Sequence, residues 1–181
     1  NMGTQELDTI TLGGGCYWCM EAVFQRMKGV ASSESGFSGG FVKNPAYREV
    51  CNGTTGHAEV VQIVFDKKVT SLEKILAVFF TIHDPTTLNK QGADEGTQYR
   101  SVVFYRNEKQ KETILDAIKK LTEENVYTDP IVTEISPFEA FYKAEEYHQN
   151  YYNQNKQQPY CQYVVKSKVD KFERLFSDIK K

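Results

Sequence analysis

With 181 residues and nothing in the middle that reads as a linker, the chain is long enough to bury one sizeable core, so a single domain over residues 1–181 is expected, whether alone or as part of a longer natural chain. Its 22 Lys and Arg nearly balance 24 Asp and Glu, and a formal net charge of −2 without any basic block removes nucleic acid from the expected partners. No run approaches the roughly 18 apolar residues of a membrane span and no charged-then-apolar leader is visible, so the expectation is a monomer acting in the cytoplasm, away from the membrane.

Asn1 ahead of Met2 reads as a remnant of expression and is set aside. A first strand is read at residues 8–12, which runs into Gly13, Gly14 and Gly15. A helix should follow, with Met20, Val23, Phe24 and Met27 on one apolar face. Strand, glycine turn and helix have the outline of a phosphate-binding loop, but G-x-x-x-x-G-K is missing, and nucleotide binding is set aside. A second strand is expected over residues 30–37 and a buried third over 60–65, separated by a polar loop holding Tyr47, Cys51 and His57. Thr70 with Glu73 reads as a capping box for a helix marked by Leu72, Ile75, Leu76, Phe79 and Phe80, ending near His83. Residues 86–99 have no period and several turn formers, the pattern of a long functional loop.

A strand at 101–105, a helix capped by Asn107 with Gln110 and running through Leu121, and a strand at 131–135 follow. The last third gathers Phe138, Phe141, Tyr142, Tyr147, Tyr151, Tyr152 and Tyr160 with Glu145, Glu146 and His148, and buried phenols there need partners. Val169, Phe172, Phe176 and Ile179 line a terminal helix. The order β, α, β, β, α, β, α, β belongs to an α+β protein: a two-layer sandwich of a mixed, mainly antiparallel sheet with flanking helices and a coil-rich C-terminal tail.

Four cysteines are too few for a disulfide scaffold in a chain of 181 residues, so chemistry or metal is the better reason for any that matter. Cys16 stands between the glycine turn and the first turn of a helix, where amides and the helix dipole favour a thiolate, and is expected to ionise below the free value of roughly 8.5. Tyr17 and Trp18, the only tryptophan, add an apolar wall. Glu59, at the mouth of the buried strand in GHAEVVQIVF, is either a solvated strand end or, in an apolar pocket, a proton donor near neutral pH. Asp94 and Tyr99 lie in KQGADEGTQYR, which is either a turn held by Asp and Gly or part of a site. Cys161, after Pro159 and Tyr160, is a lone exposed thiol or a second thiol able to swing onto the first. His57 and His83 read as structural, and His148 as a core histidine or a buttress of the pocket.

GGGCYWCMEAVF, NPAYREVCNGTTGHAEVV, HDPTTLNKQGADEGTQYRSVVF and TEISPFEAFYKAEEYHQNY, in this order over residues 12–152, closely resemble the motifs of the A-class peptide methionine sulfoxide reductases. The resemblance implies the same two-layer fold, with Cys16 as nucleophile, Tyr17 and Trp18 as the cage around the substrate methyl, and Glu59 as acid. It assigns Tyr47 and Tyr99 to the sulfoxide oxygen and Asp94 to the same pocket. The implied substrates are oxidised proteins and free methionine sulfoxide of S configuration. Cys16 would become a sulfenic acid, condense with a second thiol to a disulfide, and be restored by external thioredoxin or a related dithiol, with no bound metal, flavin or nucleotide.

Cys161 is favoured as the second thiol, because a sulfenate in a deep pocket needs a partner arriving from outside, here on a mobile tail. Cys19, one helical turn from Cys16, is the alternative and otherwise a core-facing neighbour; Cys51 reads as structural. Three rival readings remain. Cys16 and Cys19 could serve a general disulfide oxidoreductase; Cys16, Cys19, Cys51 and His57 form a formal Cys3His zinc set; and a non-catalytic reader of oxidised methionine would have little use for both Cys16 and Glu59.

Overall fold

The computed structural model describes residues 6–181, so Asn1 lies outside the described residues. Six strands form the main sheet: β1 (Leu7–Gly13), β2 (Val30–Ser38), β3 (Ala58–Asp66), β6 (Val102–Tyr105), β7 (Glu134–Pro137) and β8 (Tyr142–Lys143). Their order is β7-β6-β1-β3-β2-β8; every neighbouring pair is antiparallel except β6 with β7. The expected mixed, mainly antiparallel sheet is therefore present, with its longest strands at the centre.

Period two sorts the strand residues onto two faces. Ile10 and Leu12 of β1, Val61, Ile63 and Phe65 of β3 and Val103 of β6 join the large buried cluster, together with the helices α1 (Tyr17–Phe24), α3 (Leu72–Ile82), α4 (Glu108–Glu123) and α6 (Lys166–Leu175). Ala58, Val60, Val102 and Phe104 face the other way, under Phe138 and Phe141 of the C-terminal coil. Each large aliphatic or aromatic side chain so buried stabilises the fold by about 1.5–3 kcal/mol.

Several boundaries move for identifiable reasons. Helix α1 stops at Phe24, short of Met27, and is buried on nearly every side, since α5 (Tyr151–Gln154) and the C-terminal helix cover its outer face. The cap of α3 is Ser71, whose side chain accepts from Lys74 N at 3.2 Å, one residue beyond the expected Thr70. Asn107 caps α4 as expected, accepting from Gln110 N at 2.9 Å. The polar loop between β2 and β3 contains a short helix, α2 (Tyr47–Cys51), and the loop at 86–99 folds into a ribbon of β4 (Lys90–Gln91) and β5 (Asp94–Glu95) followed by a 3-10 turn at Thr97–Tyr99. The strand expected at 131–135 begins later, as β7, because the Val132 N–H is taken by the Pro85 carbonyl at 2.8 Å.

The coil-rich stretch runs from Phe138 to Gln158, interrupted by β8, a 3-10 turn at Glu146–His148 and α5. Cys161 does not lie in a loose tail. It opens a π turn, Cys161–Val165, that leads directly into α6, and it is fully buried. Cys161, Val165, Val169 and Phe172 repeat at helical spacing and are all buried, so this face has to dock on the body of the protein. Phe176 and Ile179 lie past the end of α6; the Ile179 carbonyl accepts from Lys28 N at 2.7 Å.

Close approach explains one glycine. A Cβ on Gly13 would meet the Glu59 carbonyl oxygen at 2.3 Å, so only glycine lets β1 end against the start of β3. Gly13→Ala should lower stability by about 1–3 kcal/mol, read from the denaturant midpoint, and should reduce activity by displacing Glu59. A variant as stable as the parent would show that the contact relaxes freely.

Candidate active site

Cys16 sits where β1 has ended and α1 begins. Gly15 has φ +90 and donates its N–H to the Tyr99 carbonyl at 3.2 Å, which ties the glycine turn to the loop after β5. Cys16 itself is the extended N-cap residue, φ −69 and ψ 131, and its carbonyl accepts from Cys19 N at 3.1 Å. The cysteine is partly buried at a helix start, as expected, but its thiol is not acidified. Loss of water raises it well above the ordinary cysteine range, and the Glu59 and Cys19 charges push the same way against the single hydrogen bond from Trp18 N–H. The helix that follows has only 8 residues and is buried, so its N-terminus does not offset the desolvation. The expectation of a preformed thiolate is thereby corrected.

Parity decides the state of Glu59. It has the same sidedness as Val61, Ile63 and Phe65, so its side chain lies on the helix-covered face, 1% exposed, and the solvated strand end is excluded. Tyr17 N–H donates to its Oε1 at 3.2 Å, which brings the carboxyl to the residue next to Cys16. Burial pushes its pKa up to about 8, the Tyr17 bond working against the shift and the Asp94 charge with it. A carboxyl in this state still carries its proton at neutral pH.

The predicted phenols and rings gather around this pair. Burial raises the Tyr47 and Tyr99 hydroxyls above the ordinary range, with the Glu59 charge adding to both, so they remain donors at any working pH. Tyr47 lies stacked on Tyr17 at 6.5 Å, and its hydroxyl pairs with the Cys51 thiol one turn along α2. Tyr17 is 1% exposed, packed on Phe37 and His148, and forms the floor more than the rim. Trp18 stands half-buried at the edge, its ring parallel to Tyr151 (3.8 Å between centroids, 6° between planes) and its Nε1 donating to His148 Nδ1 at 3.3 Å. Asp94 accepts from the Tyr160 hydroxyl at 2.6 Å, and Tyr160 meets Trp18 edge-on at 5.9 Å.

Four of these participants escaped the sequence reading or were left open in it. Tyr151, Tyr160 and His148 belong to the ring-rich stretch already marked: their rings pack around Trp18, and the Tyr160 phenol finds its partner in Asp94. Cys51 faces the site rather than serving a loop; its spacing of four from Tyr47 was the available signal, once α2 is known to be helical.

Cys161 is fully buried on the π turn, which packs against α1. Cys19, 4% exposed, is pushed up to about 12 by burial, opposed by the Lys168 charge and a hydrogen bond with Tyr160. Cys19 follows Cys16 by three residues in the first turn of α1, and the Cys161 charge acts on it. All four cysteines are free.

The zinc alternative fails on geometry. His57 Nδ1 accepts from Gly40 N at 2.9 Å and its Nε2 donates to the Val42 carbonyl at 2.6 Å, and among the described residues no three His, Cys, Asp or Glu converge on one point. His83 is likewise structural: its ring nitrogens bond the Phe79 carbonyl at 2.5 Å and Ser101 Oγ at 2.8 Å, and burial lowers its pKa to about 4.

Known proteins resemble this chain along nearly its whole length. The family described as peptide methionine sulfoxide reductase matches residues 8–180. A "Peptide methionine sulfoxide reductase MsrA" of Saccharolobus solfataricus is 53% identical over 172 residues, covering 95% of this chain and 96% of its own. Among solved structures, Mxr1 from Saccharomyces cerevisiae in reduced form superposes with a TM-score of 0.77 at 34% identity, covering 84% of this chain and 87% of that one. The same yeast protein in complex with Trx2 matches at TM-score 0.56 and 25% identity, over 83% of this chain and 91% of that one. By sequence and by fold, the chain belongs to the peptide methionine sulfoxide reductase family.

Proposed function

We propose that Cys16 is the nucleophile and Glu59 the acid of a peptide-methionine (S)-S-oxide reductase. The observation that carries these roles is the buried, protonated Glu59 carboxyl bonded to the residue next to Cys16. A sulfoxide is reduced by a thiol only if its oxygen gains a proton as charge builds on it. Glu59 supplies that proton, Tyr47 and Tyr99 donate hydrogen bonds to the same oxygen, and the carboxylate left behind is the base for the Cys16 thiol. Methionine leaves, the oxygen and one hydrogen end on Cys16 as a sulfenic acid, and Glu59 is reprotonated. The substrate sulfur is reduced by two electrons and the Cys16 sulfur oxidised by two.

Trp18 closes the side of the pocket facing the methyl group, Tyr17 its floor, and Asp94 with Tyr160 the polar side. No bound cofactor is needed. Condensation of the sulfenic acid with a second thiol releases water and forms a disulfide, and a thioredoxin dithiol, like the partner of the yeast relative, returns the enzyme to its thiol form. Four cysteines in 181 residues are too few for a disulfide scaffold and suit a reducing compartment, so we assign the protein to the cytoplasm. A thioredoxin-coupled assay with separated S and R epimers of a methionine sulfoxide peptide tests the whole reading: turnover on S alone is expected, and turnover on R alone or on neither rejects it.

The burial of Cys161 modifies the route that the sequence suggested. Because Cys161 is fully buried while Cys19 lies in the same helix turn as Cys16, Cys19 takes up the sulfenic acid first and Cys161 receives the disulfide by exchange. With a limiting amount of sulfoxide, Cys161→Ser should accumulate a Cys16–Cys19 disulfide and lose thioredoxin-driven turnover, whereas Cys19→Ser should hold a sulfenic acid that a dimedone probe traps. A Cys16–Cys161 disulfide forming in Cys19→Ser as fast as disulfide forms in the parent would return the first step to Cys161.

A further inference from the structure

Glu21 of α1 is, after Glu59, a second buried carboxyl, and no step above uses it. It is 3% exposed and lies three residues after Trp18, on the same side of the helix. Its two oxygens both accept from Asn150 N–H at 3.0 Å, and Oε1 also accepts from Ser35 Oγ at 3.0 Å. The peptide it grips is special. Asn150 is held in the left-handed region, φ 55, and its side-chain oxygen accepts from Gln25 Nε2 at 3.1 Å and Asn153 Nδ2 at 2.6 Å. The preceding Gln149 is stapled to β2, accepting from Ser35 N at 3.0 Å and donating to the Ser35 carbonyl at 2.8 Å.

The two residues flanking this grip are those that hold Trp18. His148, 3% exposed, accepts the indole N–H, and Tyr151 stacks on the ring. Helix α1 therefore grasps residues 148–151 at two points one turn apart: Trp18 against His148 and Tyr151, and Glu21 on the backbone between them. A left-handed asparagine costs conformational energy that its surroundings have to offset. Here the offset is a bifurcated hydrogen bond to a carboxylate, a strong type of bond in a site with little water.

We infer that Glu21 is a positioning residue of the reductase, a buried latch that sets the Trp18 wall of the substrate pocket through Asn150. This rests on the reading of Trp18 as part of the methyl pocket. Both donors that reach Glu21, Asn150 N–H and Ser35 Oγ, favour its ionised form, while burial, the dominant influence, raises its pKa to about 7. The charged groups acting on it are Glu34 of β2, which raises it further, and Lys143 of β8, which lowers it and is itself paired with Glu34 and Glu146.

Trp18 is the only tryptophan, so emission of the whole protein reads the latch directly. Glu21→Gln keeps one acceptor oxygen but removes the charge, and its amide N–H2 cannot accept from Asn150 N–H, so the bifurcated bond is lost. The expected result is a red-shifted Trp18 emission at pH 8 and a KM for sulfoxide peptide raised roughly three- to tenfold, with kcat within about twofold. In a Trp18→Phe background the same substitution should leave KM unchanged, since the wall it positions is gone. Unaltered emission in folded Glu21→Gln overturns the latch. Shifted emission with an unaltered KM overturns its part in catalysis, and an equal KM effect with and without Trp18 shows that Glu21 acts elsewhere. If Glu21→Gln does not fold, Ser35→Ala removes one of the donors for a single lost oxygen and has to shift the emission the same way; no shift overturns the proposal. Because emission is read without substrate, failure of the latch and failure of the reductase reading are seen separately.

Discussion

Glu59→Gln should lower single-turnover reduction of a methionine-S-sulfoxide peptide by about 10²–10⁴, the range typical of a lost general acid. The side chain keeps its size and can still accept from Tyr17 N–H, so the loss reports the proton and not the fold. In the parent the protonated carboxyl carries the rate. Since its pKa is about 8, activity should be level through neutral pH and fall as pH rises past 8, a limb the Gln variant should lack. Stability follows the same proton. A carboxyl raised from 4.5 when unfolded to about 8 when folded favours the native state fully below 4.5, and that contribution is lost as pH rises through 8. Each unit of such a shift corresponds to about 1.4 kcal/mol, so Glu59→Gln should gain stability over the parent between pH 5 and pH 9 in denaturant titrations. A Gln variant with parental single-turnover rates would remove Glu59 from the chemistry.

Cys16→Ser should abolish reduction, a loss on the order of 10⁴–10⁶. None of the other thiols is placed to replace it: Cys19 and Cys161 are buried, and Cys51 is paired with Tyr47. The raised Cys16 pKa makes a second, less ordinary demand. In substrate-free protein, iodoacetamide should label Cys16 slowly at pH 7, with a rate still climbing above pH 9. On the proposed roles, reactivity should arise only when a sulfoxide oxygen takes the Glu59 proton and leaves a carboxylate to act on the thiol. A labelling rate that levels off by pH 7 would mean a standing thiolate and would sink this account.

How far the primary structure alone could be followed is clearest at individual elements. The periodicity of β1, β2 and β3 and the Asn107 cap of α4 were readable because each depends on a few neighbouring residues. The short helix α2 was not, since a helix of 5 residues in a polar loop has no period to detect and is stabilised by its surroundings. The cap moved from Thr70 to Ser71 because both residues suit the role and the burial of Thr70 decides between them. In the site, Cys16, Glu59, Tyr47, Asp94, Tyr99 and Trp18 were named by their motifs, and they do come together. The second layer, Tyr151, Tyr160, Cys51 and Glu21, was only hinted at by ring density and helical spacing.

The sequence by itself determined which chemical groups this protein owns and which local elements present them: the thiol at a helix start, the acid at a strand mouth, the ring-rich segment, the two-layer α+β fold. Only the tertiary structure decided their states. Cys16 and Glu59 keep their protons because elements far apart in the chain exclude water from both, Cys161 is buried because the terminal helix docks its apolar face, and Glu21 grips a backbone more than a hundred residues away. Desolvation and long-range hydrogen bonds are properties of what surrounds a residue, and those surroundings are assembled only when the chain folds.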